Sequence, residues 1–157
     1  MTDVVCDASA VVAMLLDAGP EGQWAARWIS GSTLAAPELM PYEAANIIRR
    51  HQLAGTISAD QAVQAHADLL DLPVERWPYE ALAERSWQLR ENLSIHDAGY
   101  VALSEFLNAT LVTLDRRIAR APGTRCRVAT PEEQPPAHTT PTPLTLVDKW
   151  IRPTSVE

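Results

Sequence analysis

The 157 residues, 46% of them hydrophobic, suffice for one domain around one core, and they hold neither an apolar run of about 18 residues nor a basic segment ahead of the apolar N-terminus. A membrane span and a secretion signal are therefore not expected, and the chain is placed in the cytoplasm. A formal charge of −7 argues against holding a polyanion by bulk charge, while Cys6 and Cys126, far apart and outside a C-x-x-C spacing, argue against a disulfide framework or a thiolate metal site.

Residues 2 to 7 read as a short buried strand ending in an acid, with Ser9 as the N-cap of an apolar helix to Leu16. Gly19-Pro20 breaks the chain. A helix over residues 21 to 30 then sets Trp24 and Trp28 on one face, as core or as a protein-contact surface. Residues 33 to 36 form a second strand stopped by Pro37, and Pro41 suits the first turn of a helix reaching Ala54. Ser58 followed by Gln61 predicts a capped helix to Leu72, and residues 74 to 77 a third strand. Helices follow over 80 to 92 and from Ser94 to Leu107, then a strand over 111 to 113, a short helix to Ala121 and a last strand at 127 to 129.

Short strands alternating with helices require crossovers, which predicts an α/β fold: a three-layer α/β/α sandwich on a short-stranded parallel sheet. The domain is expected to span residues 1–130. From 131 to 157 the chain becomes Pro-rich, with six of its twelve prolines, and reads as a C-terminal extension whose segment LTLVDKWI is apolar enough to dock on a surface or to form a short helix.

Four acids hold a particular kind of position. Asp7 and Asp115 fall at or just past strand C-termini, and Glu43 and Asp97 lie in the first turns of helices. In an open parallel sheet these places share one edge, where ligands bind at the point at which strand order reverses. Like charges brought to about 4 Å repel by roughly 4 kcal/mol at an effective dielectric of about 20, so such a cluster takes up protons or a cation. All-oxygen donors without suitable Cys or His favour Mg²⁺, with Mn²⁺ as a substitute, over Zn²⁺. A metal-activated water at such an edge points to phosphodiester hydrolysis. Singly, each acid is equally well read as a helix cap or a complement to a helix dipole; the set of four is the stronger signal.

Four segments then resemble the PIN-domain family, and within it the VapC toxin branch: VVCDASA at 4–10, YEAAN at 42–46, SIHDAGYVALSE at 94–105 and LVTLDRRIA at 111–119. The resemblance runs over residues 1 to 130. It implies an Mg²⁺- or Mn²⁺-dependent endoribonuclease with Asp7, Glu43, Asp97 and Asp115 as the catalytic and metal-binding acids, and with Ser9 and Thr113 hydroxyls supporting them. It also implies a toxin restrained by a VapB-type antitoxin, and a homodimer, with the Trp24/Trp28 face available for such contacts. From the residues themselves, Asn46 lies one turn beyond Glu43 and can orient it, and Arg116, Arg117 and Arg120 can bind RNA phosphate or form a solvated helix face. His96, beside Asp97, is either a proton shuttle or surface decoration.

The rival readings lack required groups. A haloacid-dehalogenase-type phosphatase needs a second acid two residues after the first, where this chain has Ser9. A receiver domain needs a site lysine, and the one lysine here is Lys149 in the extension. A solitary RNA-processing nuclease and a non-catalytic PIN-like binding module remain as alternatives, the latter at odds with four retained acids.

Overall fold

The computed structural model describes residues 1–131. The extension from residue 132 onward, LTLVDKWI included, lies outside the described residues.

Apolar runs too short for helices make the strands: β1 (Val4–Cys6), β2 (Leu34–Pro37), β3 (Val74–Trp77), β4 (Thr110–Val112) and β5 (Val128–Ala129). They form one parallel sheet in the order β3-β2-β1-β4-β5, with Val5 opposite Ala35 on one side and Leu111 on the other. Strands buried on both faces carry continuous apolar sequence, as β1 and β2 do. β3 at one edge is the exception, and its exposed Glu75 and Arg76 discourage pairing with another chain.

Helices α1 (Ala8–Leu16), α2 (Pro20–Ile29), α3 (Met40–Leu53) and α4 (Ala59–Asp71) connect β1 to β2 and β2 to β3. The chain then returns across the sheet through α5 (Tyr79–Gln88) and α6 (Ile95–Leu107) to β4, and α7 (Arg116–Arg120) leads to β5. Because parallel crossovers are right-handed as a rule, steps in opposite directions along the sheet put helices on opposite faces. α1 packs on α2, α3 and α4, while α6 pairs with α5 and lies across β1, β2 and β4. The strand order turns between β1 and β4, and Asp7 directly follows β1 there.

Several local predictions hold in detail. Ser58 and Gln61 form the reciprocal capping box of α4, and Ser94 accepts the Asp97 N–H as the cap of α6. Others are corrected. Ser9 is not the N-cap of α1: the helix begins at Ala8 with Asp7 in the cap position, which leaves the Ser9 hydroxyl free for other work. α5 ends at Gln88, four residues before the expected Asn92, because residues 89 to 93 turn to bring Leu89 and Leu93 into the core. Trp24 and Trp28 are 2% and 3% exposed, so this face is core and not a contact surface. Arg127 stacks its guanidinium 5.5 Å from the Trp28 ring centre. Each fully buried Val, Leu or Ile contributes about 1.5–3 kcal/mol, and Val5, Val11, Val101, Leu103, Leu111 and Ile118 fix the site's scaffold in this way. Cys6 is buried and Cys126 partly so, both as free thiols.

Candidate active site

Asp7 is the first residue past β1, with extended backbone, and its side chain makes no capping hydrogen bond to α1. Its Oδ2 instead accepts the hydroxyls of Thr113 at 2.5 Å and Ser9 at 2.9 Å. Both hydroxyl oxygens are fixed in turn, since Thr113 Oγ1 accepts the Asp115 N–H at 3.0 Å and Ser9 Oγ accepts the Leu114 N–H at 3.1 Å. The loop after β4 is thus tied to the first turn of α1 through one carboxylate. Asp7 is 8% exposed and Thr113 wholly buried. Burial raises the Asp7 carboxyl above its ordinary range, the two hydroxyls pull it back, and the Asp97 charge pushes it up again.

Glu43 stands in the first turn of α3, and the Tyr100 hydroxyl donates to its Oε1 at 2.8 Å. His96 Nδ1 lies 4.0 Å from Oε2. Burial is the main reason the Glu43 carboxyl is raised; Tyr100 and His96 oppose it, and the charges of Asp7 and Asp97 add to it. Asp97, one turn before Tyr100 on α6, is half-buried with its N–H on Ser94. Asp7, Glu43 and Asp97 therefore sit within electrostatic reach of one another.

Asp115 is placed differently. It caps α7 by accepting the Arg117 N–H at 2.9 Å, and the Arg117 guanidinium grips the same carboxylate through Nε at 3.0 Å and Nη2 at 2.6 Å. This grip holds the Asp115 carboxyl below its ordinary range. Its tie to the other acids runs through its own N–H to Thr113 and on to Asp7. Arg116, Arg117 and Arg120 are exposed on α7 beside this edge, and the Arg117 charge is coupled to Asp97 as well as to Asp115. Asn46 is exposed, and the group that holds Glu43 is Tyr100.

A βα sheet with buried acids at its switch point is shared by several families, so the decision rests on sequence over the whole domain. The sequence model described as PIN domain matches residues 4–123. The chain belongs to the PIN-domain family. Among its relatives, Ribonuclease VapC12 of Mycobacterium tuberculosis is 37% identical over 120 residues, covering 76% of this chain and 92% of that protein. Ribonuclease VapC1 of the same organism is 38% identical over 129 residues, covering 82% and 97%. Of solved structures, PAE2754 from Pyrobaculum aerophilum superposes with a TM-score of 0.59 at 22% identity over 81% of this chain and 83% of that one. VapC20 of M. tuberculosis, described as a sarcin-ricin loop cleaving toxin, gives 0.58 at 18% over 75% and 94%. At these identities the two structures speak for the fold alone.

The donor set of this PIN domain suits a hard cation. Every candidate ligand is a carboxylate oxygen; the charge of Asp97 acts on Asp7, and those of Asp7, His96 and Asp97 act on Glu43. As the side chains stand, no three His, Cys, Asp or Glu groups among the described residues close on one point. Mg²⁺ does not need such a cage, because it keeps several waters and takes one or two carboxylates directly. Sequence reasoning passed over Tyr100, although the spacing Asp97-x-x-Tyr100 sets both on one helical face. It also left the Arg117 grip on Asp115 unread. No helix among the described residues is long and apolar enough to cross a membrane.

Proposed function

We propose that this PIN domain is an Mg²⁺- or Mn²⁺-dependent endoribonuclease acting in the cytoplasm as the toxin of a toxin–antitoxin pair. The observation that carries the proposal is that Asp7, Glu43 and Asp97 lie within electrostatic reach of one another, with Asp7 and Glu43 raised first by burial, the Asp97 charge adding to both and the Asp7 charge to Glu43. The relatives' designation as VapC ribonucleases supports RNA as the substrate.

Asp7 and Asp97 would hold the ion, with Glu43 at its side, and the bound ion would supply an activated water and neutralise charge on the phosphodiester oxygens. The Thr113 and Ser9 hydroxyls hold Asp7 in one orientation, so the carboxylate is aimed before substrate arrives. Tyr100 fixes Glu43 by Oε1, which leaves Oε2, next to His96, as the atom placed to hold or release a proton. Arg116, Arg117 and Arg120 bind the RNA backbone. When a phosphate draws the Arg117 guanidinium away, Asp115 is released to join the acids.

A groove of about 430 Å³ opens beside Ser9, walled by Val12, Leu16, Ile47, Ile57 and Leu114 with Arg50 and Glu21 among its lining. It supports restraint by an apolar segment of a VapB-type antitoxin. The exposed apolar Trp87 and Phe106 offer surface for a homodimer.

The test is cleavage of single-stranded RNA by the purified full chain in Mg²⁺ or Mn²⁺. Asp7→Asn and Asp97→Asn are each expected to lose at least about 100-fold in rate, the scale on which a missing electrostatic or metal-holding group acts. Cleavage at the unmodified rate by both variants, or undiminished cleavage in EDTA, refutes the proposal.

A further inference from the structure

A second pocket adjoins the acids from the other side. It measures about 230 Å³ and lies between the turn after β2 and the N-terminal turns of α5 and α6, with Pro37, Glu38, Tyr79, Leu82, His96 and Gly99 among its lining. His96 is shared, since its ring also stands 4.0 Å from Glu43. The walls are mostly apolar, and Tyr79, the first residue of α5, is 47% exposed.

Gly99 is the informative residue. It sits inside α6, where glycine is the poorest choice after proline. A Cβ built there would meet only Pro37 Cγ at 3.9 Å, an ordinary contact, and Gly99 has no positive φ. Neither packing nor backbone conformation calls for glycine, so the missing methyl serves chiefly to deepen the pocket.

We propose that this pocket is a nucleobase subsite, receiving one unpaired base of the RNA next to the phosphodiester held at the acids; the assignment rests on the ribonuclease reading. The space is smaller than the roughly 300–1,000 Å³ of pockets for larger ligands and suits a single ring system. Single-stranded RNA is recognised by splaying bases out onto aromatic side chains, and Tyr79 and His96 supply such faces. The shared His96 wall makes a base in the pocket and a phosphate at Glu43 and Asp97 neighbours on one strand.

The experiment has two arms. Saturation transfer from the full chain to adenosine, guanosine, cytidine and uridine is measured by NMR in EDTA, so that neither metal nor phosphate contributes, on the unmodified protein and on Asp7→Asn, Gly99→Ala and Tyr79→Ala. Transfer to the base protons of at least one nucleoside is expected in the unmodified protein and in Asp7→Asn, with at least about a fivefold loss in Tyr79→Ala, as removal of one stacking face implies, and a comparable loss in Gly99→Ala, whose methyl fills the pocket. Gly99→Ala is also expected to melt about 2–5 °C higher because α6 gains propensity, which separates lost binding from lost folding. In the cleavage arm Gly99→Ala raises KM more than it lowers kcat. Absence of transfer to every nucleoside, or equal transfer in all four proteins, overturns the subsite, and a pocket built for a partner's apolar side chain gives that result. If no protein cleaves RNA yet Gly99→Ala still loses nucleoside transfer, the ribonuclease reading fails and the subsite stands.

Discussion

Thr113→Val tests how Asp7 is held. The substitution keeps shape inside a wholly buried position and removes one hydroxyl that donates to Asp7 Oδ2 and accepts the Asp115 N–H. A hydrogen bond to a charged group contributes about 1.5–3 kcal/mol, and losing it removes one of the two hydroxyls that oppose burial, so the Asp7 carboxyl is expected to rise further. The sign follows from the folded state already binding the Asp7 proton more tightly than the unfolded chain. Stability contributed by the protonated form is present below the ordinary carboxyl range and falls as pH rises through the folded value. Thr113→Val therefore destabilises by about 1.5–3 kcal/mol at neutral pH, and by clearly less near pH 3, below the ordinary 3.8, where the Asp7 carboxyl is mostly protonated in the unfolded chain as well as in the folded one. Urea unfolding in EDTA at the two pH values measures this, with Thr113→Ser expected to restore most of the loss. An equal penalty at both pH values, or none, refutes the hydroxyl as the support of the Asp7 charge.

Tyr100→Phe removes the donor to Glu43 Oε1, and RNA cleavage in Mg²⁺ is expected to fall about 10-fold with the acid limb of its pH profile moved upward. Glu105→Gln disrupts a clamp in which Arg85 Nε donates at 2.6 Å and the Arg125 N–H at 2.8 Å; a loss of about 1–3 kcal/mol is expected in urea unfolding near neutral pH. Burial alone would raise the Glu105 carboxyl, but Arg85 and Arg125 hold it below its ordinary 4.5. Its stabilisation is therefore present above that value and lost as pH falls through the depressed one, where the variant and the unmodified protein converge. Ser104→Ala removes a wholly buried hydroxyl that has no hydrogen-bond partner among the described residues, and calorimetry is expected to show a melting point raised by a few degrees, about 1 kcal/mol.

Much of the fold could be read from the chain because its signals are local. The apolar runs at 4–6 and 34–37, the Ser58/Gln61 box and the Ser94 cap depend on neighbours within a few residues. The acids could be placed on one edge because each lies at a strand end or helix start in a parallel sheet. What could not be read depends on contacts distant in sequence. Tyr100 and Glu43 are 57 residues apart, and the support of Asp7 by Thr113, 106 residues away, is legible only through the family resemblance. Local spacing alone makes Ser9 a cap of α1, and only the resemblance points its hydroxyl toward the acids, where it also accepts the Leu114 N–H. The Trp24/Trp28 stripe was ambiguous because an amphipathic face does not say whether its own fold or a partner covers it; here the core does. The Arg117 grip on Asp115 turns on rotamers that spacing does not fix.

The function proposed for this domain requires the acids at the edge formed by the C-terminal ends of β1 and β4 to hold a hard divalent ion. Anomalous diffraction from crystals of the full chain soaked in Mn²⁺ tests it directly. The predicted result is a manganese peak bound by Asp7 and Asp97 with Glu43 beside it, absent in Asp7→Asn crystals. Manganese found only elsewhere on the protein, or a peak at that edge that survives Asp7→Asn unchanged, contradicts it.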